Sequence, residues 1–215
     1  MPSDWATYAS LATAAGTLIL AVATFASIRS GRRSTRIAER ALLANTQPVL
    51  APSRYPDDPE QKVMFMEEHW VRVPPGGAVV EPTDEVIYFA MSLRNVGNGL
   101  GVLHGWAVFP QLFLGEVSQP DPKAFVAQRR DLYIPANNIG FWQAALRDPA
   151  APEFAAMRQA VDAHQSLTVD LLYGDHEGSQ RYISRFLLIY FEERGWIASV
   201  GRYWNVDRPQ PRPRS

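Results

Sequence analysis

The chain has 215 residues, of which 47% are hydrophobic and 20% charged, with a net charge of −1 and no cysteine. That length supports one folded domain with a substantial core and an appendage. The near-neutral balance argues against a dedicated nucleic-acid binder, and the absence of cysteine excludes disulfides and thiolate metal sites.

From Trp5 to Ile28 the chain runs 24 residues without a charge, "WATYASLATAAGTLILAVATFASI". As a helix this stretch is roughly 36 Å long, enough to cross a hydrocarbon layer of about 30 Å with some tilt. Trp5 and Tyr8 stand at its first end, where aromatic rings favour the interface. Arg29, Arg32, Arg33, Arg36 and Arg40 come after its other end, against the single acid Glu39. A cleaved leader carries its positive charge before the apolar run, and here the order is reversed. The positive-inside rule then predicts a single-pass protein of the cell membrane, N-terminus outside and body cytoplasmic. Alanine, serine and threonine dominate the span, so insertion is only modestly favourable. Small residues four apart (Ala9, Thr13, Thr17 and Ala21) form a face on which a second copy could pack. Residues 29–46 continue as a basic juxtamembrane helix whose arginines Arg29 to Arg40 can meet anionic lipid. Gln47-Pro48 ends it, because proline disfavours a helical residue before it.

Residues 48–206 change to two-residue alternation. Short strands are expected over Val49–Arg54, Lys62–Met66 and His69–Val73. Ile87, Phe89, Met91 and Leu93 alternate with Tyr88, Ala90, Ser92 and Arg94. "LRNVGNGLGVLHGW" comes next, with glycines at 97, 99 and 101. A phosphate-binding loop needs G-x-G-x-x-G opening a helix, and here Val102 occupies the last required position. The residues after the glycines alternate as a strand, with Leu100, Val102, His104, Trp106 and Val108 on one face. The glycines are therefore expected to supply positive φ angles to a hairpin turn or bulge. Two short helices are expected, one in "DPKAFVAQRR" with Asp121 as N-cap and one in "PEFAAMRQAVDAH" with Phe154, Met157 and Val161 on one face. Further strands are expected at Leu167–Tyr173, Arg181–Phe191 and Trp196–Val206, with turns at Gly174–Ser179 and Glu192–Gly195. The Pro/Arg-rich end, residues 207–215, reads as a disordered tail.

Short strands joined by Gly, Pro and Asn turns, without βαβ alternation, predict a mainly β fold: an antiparallel sandwich with short helical insertions. Three stretches, "LRNVGNGLG", "YIPANNIGFW" and "LTVDLLYGDHEGSQRYISRF", resemble Ig-like sandwich domains of the CARDB type. Asn95, Gly97 and Gly99 match their glycine hairpin, Pro135 and Asn137 their corner, and Tyr173, Asp175 and Gly178 their late hairpin. With the N-terminal anchor, the whole chain resembles uncharacterised actinobacterial membrane-anchored proteins. The resemblance implies an Ig-like fold and assigns no activity.

No nucleophile, base and oxyanion arrangement is visible, no G-x-S-x-G elbow occurs, and no cofactor is implied. Asp175, His176 and Glu177 in "GDHEGS" are three adjacent metal-ligand types that form either a metal site or a solvated turn. Asp170 is an acid inside an apolar strand, expected at the solvent face or paired with Arg185. Trp106, Trp142, Trp196 and Trp204 could floor a ligand groove, or fill the core. The expected function is a membrane-anchored protein-interaction or scaffold module without catalysis and with an unknown protein partner. The alternatives are a small-molecule sensor or a weak metal-dependent hydrolase centred on the Gly174–Ser179 hairpin.

Overall fold

The computed structural model describes residues 3–115 and 118–208, with side chains described from Tyr8 onward except at residue 40. The chain divides into two compact units, a helix up to Asn45 and a β-rich body from Thr46 on. The side chains of Trp5, expected at the interface, and of Arg40, and the tail beyond Arg208, lie outside what is described.

The first unit is one continuous helix, α1, Ser3–Asn45. The apolar and basic stretches are thus a single rod of 43 residues, roughly 64 Å long. Gly31 does not interrupt it. The helix is long and apolar enough to cross a membrane, and none of its apolar window is buried against protein. Its threonines reduce the cost of placing polar groups in hydrocarbon. The hydroxyls of Thr13, Thr17 and Thr24 donate to the carbonyls of Ala9, Thr13 and Leu20 one turn back, at 2.9, 2.9 and 2.7 Å. Tyr8 and the arginines at 29, 32, 33 and 36 are exposed along the rod.

The body is mainly β. Its strands are β1 (Leu50–Pro52), β2 (Gln61–Met64), β3 (Trp70–Val73), β4 (Gly77–Pro82), β5 (Ile87–Asn95), β6 (Gly101–Phe109), β7 (Val126–Ile134), β8 (Ile139–Leu146), β9 (Leu167–Gly174), β10 (Arg181–Phe191) and β11 (Gly195–Asn205). A helix, α2 (Pro152–Asp162), links β8 to β9. All strands but β2 and β3 belong to one curled antiparallel sheet. One half is β7-β6-β9-β10-β11. In the other, β5 pairs with β8 on one edge and with β4 and β1 on its second edge. Among the described residues two ladder pairs join the halves, Trp196 with Ala78 and Ile197 with Gly77, and Ala198 N donates to the Gly76 carbonyl beside them at 3.0 Å.

Alternation along β5 is as expected, but both faces are buried. Ile87, Phe89, Met91 and Leu93 enter the main core, which the two halves share with Phe154, Met157 and Val161 of α2. Tyr88 and Ala90 enter a second, smaller core under the β2–β3 hairpin, with Val63, Phe65, Val71 and Val73.

Three expectations need correction. "DPKAFVAQRR" is not a helix: Asp121 caps only a 3₁₀ turn over Pro122–Ala124, accepting from Lys123 N at 3.0 Å. The chain then extends as β7, because Leu132 and Ile134 at its far end are buried in the main core. Along β6 the strict alternation fails, because a bulge between Leu103 and Gly105 turns Leu103 and Trp106 to the same core. The glycine stretch after β5 is not a hairpin, since β5 and β6 lie in different halves and do not pair. Nor do Gly97 and Gly99 take positive φ. A Cβ on Gly97 would stand 2.3 Å from the Gln47 carbonyl oxygen, and one on Gly99 would stand 1.7 Å from that of Thr46. These glycines cradle the protein's own chain at the start of the body. The amides of Asn98 and Gly99 donate to the Gln47 carbonyl at 3.1 and 3.3 Å. Asn95, fully buried, completes the clamp: its Oδ1 accepts from Val49 N and Gly97 N, and its Nδ2 donates to the Gly99 and Ile134 carbonyls.

Candidate ligand cleft

The two sheet halves meet at one side through the short β4–β11 contact. At the other side β7 and β8 face each other without a ladder. These two strands leave a tight turn at Pro135–Asn138, closed by Asn138 N to the Pro135 carbonyl at 3.2 Å, with Asn137 in the left-handed region at φ 56°. Near that turn they stay close, where Gly140 leaves room for Ile134. Further on they diverge, because β7 is held by β6 and β8 by β5.

The gap between them is a cleft of about 1200 Å³, larger than the usual range for small-molecule sites. Trp106, Val108, Ala144, Phe154 and Met157 form its apolar floor, and the β2–β3 tip at Phe65 and Met66 forms its outer wall. That tip is tied to both sides of the gap. Arg130 reaches the Met64 carbonyl at 3.4 Å, and Arg147 holds Glu67 through Nε–Oε1 at 2.7 Å. The hydrogen bond from Arg147 keeps the Glu67 carboxyl below its usual range despite partial desolvation. Arg129 and Arg130 give the β7 rim an exposed positive charge.

Two glutamines sit in the gap. Gln128 of β7 donates from Nε2 to the main-chain carbonyl of Gln143 on β8 at 3.2 Å. The Oε1 atoms of both side chains are buried without a protein partner among the described residues. Buried acceptors in that state cost free energy that a donor from a ligand would recover.

The residues singled out from sequence scatter over the body. Of the four tryptophans Trp106 lines the cleft, packing edge-on to Trp142 with centroids 6.3 Å apart, and Asp170 lines it as well. Trp142 is fully buried in the core, and Trp196 packs at the opposite seam against Tyr190. Trp204 lies over the Arg185 guanidinium, 5.1 Å from its ring centroid. The four tryptophans therefore do not floor one groove. Asp170 does pair with Arg185, through two hydrogen bonds of 2.8 and 2.7 Å, but inside the body rather than at the solvent face. Phe113 stacks on the same guanidinium at 4.9 Å and its segment covers the pair.

In the "GDHEGS" hairpin the three side chains do not converge on one position. Asp175 is buried and accepts from Ser179 N at 2.8 Å, Ser179 Oγ at 2.5 Å and Gln180 N at 3.4 Å, while His176 and Glu177 are exposed. Burial opposes ionisation of Asp175, but these hydrogen bonds outweigh it and hold the carboxyl below its usual range. Among the described residues no group of three His, Asp or Glu side chains converges on a metal position.

Sequence reasoning missed the cleft. Its only local signal was Gln128 and Gln143, polar residues within otherwise apolar or edge-like stretches. Compared with known protein families, curated proteins and solved structures, the chain shows no match.

Proposed function

We propose that this chain is a membrane-anchored, non-catalytic binding module that works through the cleft between β7 and β8. The cleft carries the reading: its floor is apolar, it presents two buried acceptors, and its β7 rim is cationic at Arg129 and Arg130, with Asp148 and Glu153 elsewhere on the lining. The helix α1 supports the anchor, and the arginines after its apolar part favour a cytoplasmic body on the cell membrane. Those arginines add about 1 kcal/mol each where they meet anionic lipid.

We read the body as an Ig-like sandwich whose two sheets are the two halves of the curled sheet, bridged by the short seam at Gly76 to Ala78. The likeness to CARDB-type domains and to actinobacterial anchored proteins belongs to the same proposal, resting on Asn95, Gly97, Gly99, Pro135, Asn137, Tyr173, Asp175 and Gly178. Such domains typically present surfaces to partners.

An apolar dye whose fluorescence rises on leaving water tests the cleft in the full chain, held in detergent. Dye binding is expected in the native protein and is expected to vanish in Ala156→Trp, a substitution at an exposed α2 residue that lines the cleft. Equal dye binding by both proteins, or by neither, ends the reading. Protease treatment of intact cells and inverted vesicles tests orientation: cleavage of the body only in inverted vesicles is expected.

A further inference from the structure

The cleft differs from an ordinary apolar pocket in having a strand edge on each side. Among the described strands, β8 pairs only with β5, and β7 only with β6. Each therefore offers unpaired main-chain groups toward the gap. One side chain already occupies the place of a ladder partner. The Gln128 amide donates to the Gln143 carbonyl at 3.2 Å, as a neighbouring strand's N–H would do. The buried Oε1 atoms of Gln128 and Gln143 still lack donors.

Resting on the binding-module reading, we infer that the cleft takes an extended peptide segment as an added strand on the edge of β8. The segment alternates apolar and polar residues and carries an acid opposite Arg129 and Arg130. Main-chain N–H groups supply what the glutamine oxygens lack, whereas an acyl chain of comparable bulk has no donors to offer. Alternate side chains of the segment drop onto the Trp106, Phe154 and Met157 floor.

Strand direction selects the edge. Every pairing from β7 round to β8 is antiparallel, so β7 and β8 themselves run in opposite directions. A single inserted strand is antiparallel to one and parallel to the other. The β8 ladder with β5 is unbroken from Ile139 to Leu146, whereas β7 breaks its register with β6 at the bulge. The regular edge is the better template. Charge selects the acid at the β7 rim, while Asp148 and Glu153 on the rest of the lining disfavour one there. Arg129 is exposed and makes no ion pair among the described residues, and Arg130 reaches only a carbonyl.

The test uses the full chain in detergent and three probes. The first is a pool of acetylated peptides of about ten residues, alternating valine, isoleucine or phenylalanine with threonine or serine, with one glutamate near an end. The second is the same pool with every second amide N-methylated, and the third is palmitate. Retention of the first pool is expected, together with slowed amide exchange over residues 143–147. N-methylation is expected to abolish retention, and Arg129→Glu to weaken it about tenfold, with recovery when lysine replaces glutamate in the peptide. Equal retention of the methylated pool overturns the added strand. Palmitate binding without peptide binding makes the cleft a lipid site and overturns the inference while the binding module stands. If neither probe nor the apolar dye binds, the module reading falls as well.

Discussion

Two turns in the body look alike in sequence and work differently. Asn95–Gly101 and Gly174–Gln180 each combine glycines with a buried polar side chain, Asn95 in one and Asp175 in the other. The first turn closes on another part of the chain, residues 46–49, and its glycines are needed because that chain passes too close for a Cβ. The second closes on itself. Asp175 binds Ser179 and Gln180, Gly174 is needed because a Cβ there would stand 2.5 Å from the turn's own Gln180 carbonyl oxygen, and Gly178 serves through its positive φ of 71°, with open space where a Cβ would go. A glycine in a turn thus has two distinct causes, contact and backbone conformation, and only a structure separates them.

The largest expected effect breaks the first turn. Gly99→Ala places a Cβ 1.7 Å from the Thr46 carbonyl oxygen, against backbone that cannot yield. We expect a loss of about 3 kcal/mol or more, or no folded body at all, by chemical denaturation of the detergent-solubilised chain. Gly178→Ala meets only the positive-φ cost, about 1 kcal/mol. Equal losses at the two positions would remove the distinction.

Asp175→Ala comes next, leaving Ser179 N, Ser179 Oγ and Gln180 N without their acceptor, at a cost of about 1–3 kcal/mol. The effect depends on pH. The folded carboxyl titrates below its unfolded value, so its stabilisation is present above about pH 4 and is lost as the pH falls through the folded value. The gap between the native protein and the variant should narrow in acid, a comparison that denaturation at pH 7 and at a series of pH values below about 4 checks.

The first turn's partner segment has the opposite sensitivity. Gln47 donates from Nε2 to the Tyr203 hydroxyl at 2.8 Å, and Leu50 N donates to the Tyr173 hydroxyl at 3.4 Å. Burial pushes Tyr173 and Tyr182 up to about 12 and raises Tyr203 as well. For groups raised in the folded state, the stabilisation is complete below the unfolded value and disappears as the pH rises from about 10 toward the folded value. Alkali should therefore loosen the main chain of residues 46–50, whereas in the Gly174–Gln180 hairpin it removes only the Tyr182 hydroxyl's bond to the Gln180 side chain and leaves the Asp175 bonds to the main chain in place. Tyr203→Phe, which removes the acceptor for Gln47, should cost about 1 kcal/mol. Amide exchange at high pH, resolved by segment, distinguishes the two regions.

How much of this could be read from sequence depended on whether the signal was local. The alternation in β5 and β9 and the apolar face of α2 repeat at fixed spacing, and β10 is a run of β-formers apolar on both faces, so each was legible at close to its observed bounds. β4 was missed because it is short and bounded by glycine and proline. β7 was missed because its middle residues, Gln128 to Asp131, are polar and give no alternation, while Asp121-Pro122 reads as a helix start. The bulge after Leu103 and the double burial of β5 come from neighbours distant in sequence. The cleft was illegible for the same reason. Trp106, Gln143 and Met157 converge only because two strands leaving one tight turn are drawn to different partners.

The smallest expected effect bears on the hairpin that sequence offered as a metal site. His176 and Glu177 are exposed at its tip, and Asp175 already commits its oxygens to the turn itself. Replacing both tip residues by alanine should change stability by less than about 0.5 kcal/mol, since neither makes a contact that the fold depends on. Adding Zn²⁺ should shift the melting temperature of the native protein no more than that of the variant, because a ligand stabilises only in proportion to its preferential binding to the folded state. A zinc-dependent rise confined to the native protein would mean that the hairpin opens to release Asp175. The two turns would then differ in function as well as in construction.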